Sequence, residues 1–158
     1  MSSDIAARLG DIVQAYQASV DDYDRELARL MGVNETDLRC LEILIGSKEA
    51  GPSELATQLG LTSGSVTTML DRLAKLDYVS RHPHPTDRRK TLVRITQRAL
   101  TRAHELMGPF LDDSRRVLDR FTPQQLELVA EFLDVNRSVQ NDHVQRLRTI
   151  PEESARAR

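Results

Sequence analysis

The chain has 158 residues, of which 39% are hydrophobic and 29% are charged, a balance typical of a folded protein and not of a disordered segment. The formal net charge is −2, there is one cysteine, and the apolar runs are short. These features exclude a protein that coats nucleic acid over its whole surface, a disulfide-stabilised domain and a membrane-spanning protein. The N-terminus has no signal-peptide pattern, so we expect a cytoplasmic protein.

The positive charge is concentrated in one stretch of the chain. Residues 72–98 carry 8 basic and 2 acidic residues, whereas the other segments are acidic on balance. Within this stretch, residues 85–90 read PTDRRK, which places three cations directly behind a Pro-Thr-Asp turn. A local basic patch on an acidic body is typical of a protein that directs one face at a polyanion.

The first thirty residues follow a helical period. Apolar residues recur at intervals of three and four, which predicts an amphipathic helix about 40 Å long; they are Ile5, Leu9, Ile12, Tyr16, Val20, Tyr23, Leu27 and Leu30. This stripe allows two interpretations, a helix folded against its own domain or a dimer contact. The segment alone leaves both open.

Three shorter helices are predicted next. Asn34 is a suitable N-cap for the first of them. Pro52 begins the second, which ends at Gly60. Thr62 or Ser63 caps the third, whose apolar side comprises Val66, Met69, Leu70, Leu73 and Leu76.

The remainder of the chain predicts a hairpin followed by two long helices. Residues 78–81 and 91–95 have the composition of strands, and the loop between them contains two prolines. A long helix follows over residues 96–120, and we expect Pro109 to kink or interrupt it. Thr122 then caps a last helix, whose inward side is predicted to be Leu126, Val129, Leu133 and Val139.

This order of elements is the outline of a winged helix-turn-helix, and the spacing supports it. Counted from Pro52 as the first position, Ala56 is fifth, Gly60 ninth and Val66 fifteenth. A small residue permits the close helix crossing, glycine suits a turn with positive φ, and an apolar side chain packs between the two helices. The predicted fold class is therefore mainly α with a small β-hairpin wing.

The exposed side of the third short helix carries the first candidate site. Small hydroxyl residues near the helix start allow close approach to base edges and phosphates, and two cations follow further along the helix. The candidate DNA-contacting residues are Ser63, Gly64, Ser65, Thr67, Thr68, Arg72 and Lys75. The alternative is an ordinary solvated face, which is usually richer in Glu and Lys.

The second candidate site is the tip of the hairpin. We predict that Arg89 enters a narrow minor groove, where the potential is strongly negative. We predict phosphate contacts for Arg88 and Lys90, and also for Arg81 and Arg94 on the strands. Asp87 is predicted to brace the wing by pairing with an arginine. The alternative is a solvated charged loop.

Residues 54–96, ELATQLGLTSGSVTTMLDRLAKLDYVSRHPHPTDRRKTLVRIT, resemble the MarR family of bacterial transcription regulators. The similarity includes the D-x-R wing motif at residues 87–89 and is dense over residues 38–99. It implies an obligate homodimer with interleaved first and last helices, which decides the question of the first helix in favour of dimerisation. Asp77 stands where the family often has glycine, and we expect it to adopt a left-handed conformation.

We accordingly predict four segments and one effector site. The segments are a dimerisation helix at 1–32, a DNA-binding domain at 33–97, C-terminal helices completing the dimerisation lobe at 98–148, and a flexible tail at 149–158. Relatives often bind small aromatic or lipophilic ligands in a cleft between the two lobes. Residue types that suit such a cleft are Tyr16, Tyr23, Arg39, Cys40 and His104. For Cys40 the alternatives are a redox role and a position in the core. We favour the core position because no second cysteine accompanies it.

The predicted function is a homodimeric transcription regulator that binds a palindromic operator, acts as a repressor and is released by a small ligand. The alternative is a winged-helix module for protein–protein contact, whose basic wing binds an acidic partner. No nucleophile–base arrangement, Gly-rich phosphate loop or metal-ligand set stands out, so we expect neither an enzyme nor a cofactor or metal site.

Overall fold

The computed structural model of the chain describes residues 2–87 and 89–150. Within them it contains six helices and three strands: α1 (Ser2–Met31), α2 (Glu35–Ser47), β1 (Glu49–Ala50), α3 (Pro52–Leu59), α4 (Ser63–Lys75), β2 (Val79–Pro83), β3 (Thr91–Ile95), α5 (Gln97–Leu118) and α6 (Pro123–Arg148). The predicted fold class, mainly helical with a small β wing, is confirmed. The chain divides into two compact units, Met1–Gly108 and Pro109–Arg158. The greater part of the predicted tail, residues 151–158, lies outside the described residues.

The wing belongs to a three-stranded antiparallel sheet with the strand order β1-β3-β2. The predicted hairpin is present, and its first strand extends to Pro83, beyond the expected end. Strand β1 was not predicted. It consists of Glu49 and Ala50, with Glu49 opposite Arg94, and two residues are too short to show the alternation by which a strand is recognised.

One hydrophobic core organises the first unit. It draws side chains from α1 to α4, from the sheet and from the start of α5, and Leu44, Leu55, Leu73 and Val93 are each 0% exposed. Complete burial of a leucine side chain stabilises a fold by roughly 1.5–3 kcal/mol. Because α3, α4 and the sheet share this core, α4 and the wing are positioned together.

The turn between α3 and α4 has the predicted construction. Gly60 is left-handed, with φ 66° and ψ 33°, and Val66 is 1% exposed in the core. Asp77, which follows α4, also has a positive φ of 58°. The expectation that aspartate replaces a glycine there without losing the turn is therefore confirmed.

Helix α1 consists of a buried end and an exposed stripe. Near its C-terminus, Leu27 and Met31 are buried in the core, whereas Ile5 is 64%, Ile12 53% and Tyr16 65% exposed. The interpretation of the stripe as a face covered by its own domain is therefore wrong over this part of the helix. The other interpretation, a dimer contact, stays a prediction.

The second unit also presents apolar side chains. Thr122 and Gln125 form a capping box at the start of α6, in which the Thr122 amide donates to Gln125 Oε1 at 2.9 Å and the Gln125 amide donates to Thr122 Oγ1 at 3.3 Å. Side chains that were expected to point inward are exposed, Val129 by 50%, Leu133 by 52% and Val139 by 50%. None of the described residues covers these side chains.

Two further features concern the helices. Helix α5 continues through Pro109, so the predicted interruption does not occur, and the alternative, a kink, stays a prediction. A proline removes one backbone donor, and the neighbouring hydrogen bonds can continue the helix. Among residues 2–87 and 89–150, no helix combines the length and the apolar character needed to cross a membrane.

Candidate nucleic-acid interface

Helix α4 begins at a capped end and buries one side. Thr62 Oγ1 accepts a hydrogen bond from the Ser65 amide at 3.2 Å, which satisfies one of the free donors of the first turn. The buried side comprises Val66, Met69, Leu70 and Leu73, each at most 1% exposed. The core therefore sets the rotation of α4 about its axis.

The predicted contact face of α4 is brought together on the opposite side. Its members are all exposed: Ser63, Gly64, Ser65, Thr67, Thr68, Arg72 and Lys75. The hydroxyls of Thr67 and Thr68 donate to the carbonyls of Ser63 at 3.0 Å and Gly64 at 3.1 Å. Because these donors are engaged, the two threonines present lone pairs and methyl groups to the outside.

The wing loop between β2 and β3 is held by its own hydrogen bonds. The His84 amide donates to the Lys90 carbonyl at 3.0 Å, and the Lys90 amide donates to the Asp87 carbonyl at 2.9 Å. The side chains of Arg89 and Lys90 are exposed. Arg88, which was also predicted to contact DNA, lies outside the described residues. The loop thus orders its backbone and leaves two cations in solvent.

Asp87 braces this loop, and among the described residues it does so through the main-chain amide of Arg89 and not through the Arg89 side chain. Its Oδ1 accepts a hydrogen bond from the Arg89 amide at 3.1 Å, and its Oδ2 lies 3.8 Å from Lys90 Nζ. This Asx turn orients the main chain at Arg89. The Arg89 guanidinium forms no ion pair with any of the described residues and is available to a ligand.

The arginines of the strands have acidic partners within the fold. We expected Arg81 and Arg94 to contact phosphates, but Arg81 Nη2 lies 2.7 Å from Asp71 Oδ1 and Arg94 Nη2 lies 2.7 Å from Glu49 Oε2. Such half-exposed pairs contribute little to the free energy of unfolding. The first pair nevertheless links α4 to β2, and so helps to set the position of the wing beside the helix.

Sequence reasoning missed Asp37, a residue of α2 that supports this surface. The residue is 2% exposed, and its carboxylate accepts two hydrogen bonds from Arg72, from Nε at 3.2 Å and from Nη2 at 2.7 Å. The hydrogen bond to Asp37 raises the pKa of Arg72, against an opposing effect of desolvation. The two residues lie 35 positions apart, so no local pattern connects them.

Comparison with known proteins agrees with this geometry. The sequence profile of the MarR family matches residues 33–91. The chain is also 30% identical over 129 residues to the uncharacterized HTH-type transcriptional regulator YcgE of Bacillus subtilis (strain 168), a match that covers 80% of this chain and 82% of that protein. The chain belongs to the MarR family.

One further relative and one solved structure are also similar to the chain. The chain is 23% identical over 132 residues to the HTH-type transcriptional repressor YetL of Bacillus subtilis (strain 168), covering 82% of this chain and 72% of that one. It shares its fold with a MarR family protein from Bacillus stearothermophilus, with a TM-score of 0.66, 17% identity, and coverage of 89% of this chain and 99% of the other. The family match and the similarity to YcgE identify the protein as a MarR-family transcription regulator.

The residues predicted for an effector cleft lie in different surroundings in this MarR-family regulator. Tyr16 and His104 are exposed, and Tyr23 packs half-buried against the core. Cys40 is 0% exposed, so it has no surface with which to line a cleft. Arg39 lines a depression of about 280 Å³ that is mainly acidic, with Asp21, Asp24, Glu35 and Glu42 among its other residues.

The burial of Cys40 leads to a prediction about its reactivity. Burial raises the pKa of this thiol to about 12, and Asp37 adds to the effect, so that the thiol remains protonated at neutral pH. Because the thiolate is the nucleophile and a free cysteine has a pKa of about 8.5, we expect reaction with a disulfide reagent to be at least ~100-fold slower in the folded protein than in urea. Rapid labelling of the folded protein would contradict the assignment of Cys40 to the core.

Proposed function

We propose that the protein is a DNA-binding repressor that occupies a palindromic operator as a homodimer and is released by a small ligand. The observation that carries this proposal is the juxtaposition, within one unit, of an exposed hydroxyl-lined helix face and a hairpin loop with solvent-exposed cations. Membership of the MarR family supports the DNA-binding part. The similarity to a protein named as a repressor supports the sign of regulation.

In this proposal α4 enters the major groove. Residues 63–68 are small, and Gly64 has nothing within 4 Å of the position where a Cβ would stand, so a base edge can approach closely. The lone pairs of Thr67 and Thr68 suit the amino donors of cytosine and adenine, and their methyl groups suit the thymine methyl. Lys75, at the end of the helix, is positioned for the phosphate backbone.

The wing is assigned to the adjacent minor groove. Arg89 supplies an exposed guanidinium on a backbone that Asp87 orients, and a narrow minor groove attracts arginine through its enhanced negative potential. Lys90 is assigned to a phosphate. Each protomer thereby contacts two grooves with elements that share one core.

The exposed apolar faces are assigned to the homodimer. The stripe on α1 and the apolar residues of α6 expose large side chains that a soluble monomer rarely leaves in contiguous patches. Two copies with closed two-fold symmetry bury the same surfaces on each other. A dimer of this kind presents two α4 helices, and a palindromic site requires them to be about 34 Å apart, one turn of B-form DNA.

The salt dependence of DNA binding tests the proposal. A duplex is first selected by the protein from a random-sequence pool, and its dissociation constant is then measured by fluorescence anisotropy over a range of salt concentrations. If Arg72, Lys75 and Lys90 neutralise one phosphate each, the dimer neutralises six, and the log–log slope is expected to be about −5. The control is a scrambled duplex of equal length and composition, which should bind at least ~1000-fold more weakly.

A shallow slope without sequence preference would contradict the DNA-binding proposal and favour the alternative, a wing that binds an acidic protein. The ligand is tested in the same titration by adding a series of small aromatic acids. Release of the selected duplex by one of them is expected. Unchanged binding across chemically diverse acids counts against the ligand part alone.

A further inference from the structure

The pair formed by Asp37 and Arg72 has an unusual asymmetry. The side chain of Asp37 is 3% exposed, whereas that of Arg72 is 46% exposed. Among the described residues Asp37 is the one buried charged side chain. A carboxylate is costly to bury unless it is paired and hydrogen-bonded, and Arg72 supplies both the ion pair and two hydrogen bonds.

The hydrogen bonds use one edge of the guanidinium. Nε and Nη2 face the two carboxylate oxygens at 3.2 Å and 2.7 Å, which is the two-point geometry that a planar guanidinium shares with a carboxylate. Nη1 donates to no other described residue. The guanidinium is therefore held at a fixed orientation from the inside, and its remaining donors lie on the exposed side.

The exposed side of Arg72 belongs to the same surface as the contact face of α4. Arg72 lines a depression of about 460 Å³ together with the hydroxyl residues Thr36, Ser65 and Thr68. Lysine at this position has no planar fork with which to bind a carboxylate at two points. The arrangement thus distinguishes arginine from a simple positive charge.

We propose that Asp37 is a positioning residue for operator binding: its buried carboxylate holds Arg72 so that the free edge of the guanidinium meets a DNA phosphate. This inference rests on the proposed function and assigns a role to a residue of α2 that does not itself touch DNA. The side-chain entropy of Arg72 is lost on folding and not on binding, which strengthens the contact. The charges also suit their helices, because Asp37 lies in the first turn of α2 and Arg72 in the last turn of α4.

A double-mutant cycle on the selected duplex tests this role. Asp37→Asn is expected to weaken binding by about tenfold in the wild-type background and by less than about twofold in the Arg72→Ala background, because the effect of Asp37 passes through Arg72. Arg72→Lys keeps the charge and should retain the salt slope while losing affinity about tenfold, since lysine is not held at two points. The matched control is Asp22→Asn, which removes one of the two acidic partners of Arg25 from an exposed pair and should leave binding unchanged.

The salt slope separates positioning from a merely structural role. The double variant Asp37→Asn with Arg72→Ala removes both charges and leaves no unpaired carboxylate in the core, so it tests the phosphate contact even if Arg72→Ala alone folds poorly. Its slope should be less steep than the wild-type slope by about 1.8, corresponding to two phosphates per dimer. A wild-type slope in this variant, or an equal loss from Asp37→Asn with and without Arg72, would overturn the inference. A shallow salt dependence of DNA binding by the wild-type protein, without sequence preference, would instead overturn the proposed function.

Discussion

Replacement of Arg89 by alanine is expected to weaken operator binding by about a hundredfold, since loss of one specific arginine contact costs roughly 1–3 kcal/mol and the dimer has two copies. The dimer itself should be unaffected, because Arg89 is exposed and forms no ion pair with the described residues. The main-chain amide of residue 89 still donates its hydrogen bond to Asp87 Oδ1 after the substitution, so the wing loop keeps its shape. The measurement is anisotropy with the selected duplex, combined with sedimentation velocity of the free protein.

Two comparisons sharpen this experiment. Arg89→Lys retains the charge but should restore little affinity if the guanidinium enters a narrow groove, because an ammonium is more strongly hydrated. Arg115→Ala removes an arginine of α5 that is 77% exposed and pairs with Asp112, and it should leave affinity unchanged. Full affinity in Arg89→Ala would refute the assignment of the wing to the minor groove.

A glutamate in place of Ile12 is expected to disrupt the dimer. Ile12 is 53% exposed in the single chain, so the substitution should cost little in the free energy of unfolding of the protomer. If the stripe is covered by a second copy, each side loses an apolar contact worth roughly 1.5–3 kcal/mol. Since the interface contains the residue twice, the dissociation constant should rise by at least ~100-fold.

Sedimentation velocity over a dilution series measures this change. Gln14→Glu is the matched control, since it places the same charge on the polar side of α1 and should leave the dimer intact. Leu133→Glu is a second test, because Leu133 is 52% exposed on α6 and belongs to the other apolar face. If both Ile12→Glu and Leu133→Glu remain dimeric at wild-type concentrations, the proposed dimer surfaces are wrong.

The loss of the dimer in Ile12→Glu should also change DNA binding. A monomer presents one α4 helix and can occupy one half-site, so its affinity for the full operator should fall while its binding to a half-site duplex stays weak and unchanged. Linked binding to two half-sites adds affinity without any new contact in either half. A monomeric variant that kept full operator affinity would contradict the two-fold arrangement.

The central part of the fold could be predicted because its signals are local. Pro52, Gly60 and Thr62 specify helix starts and stops within a few residues, and Val66 follows at the spacing that a turn between two packed helices requires. The conformation of Asp77 was predicted from the resemblance to the MarR family, which often has glycine there, because aspartate tolerates a left-handed backbone. Each of these features has the structure that the sequence indicated.

The residues that hold the candidate site in place could not be predicted from the sequence. Asp37 and Glu49 have no local pattern that distinguishes them from solvated carboxylates, and their partners Arg72 and Arg94 lie far along the chain. The sequence suggested that Arg94 was free for DNA and that Asp87 paired with an arginine side chain. In the fold Arg94 pairs with Glu49, and the Asp87 carboxylate accepts a hydrogen bond from the main-chain amide of Arg89.

The sequence by itself determined the helix-turn-helix, the hairpin and the concentration of cations between residues 72 and 98, because periodicity, capping and turn conformation act over a few residues. Only the tertiary structure decided which of those cations are free. Ion pairs between distant residues depend on how the core brings α2, α4 and the strands together. Arg81 and Arg94 are therefore engaged within the fold, Arg72 is held along one edge, and Arg89 is left exposed.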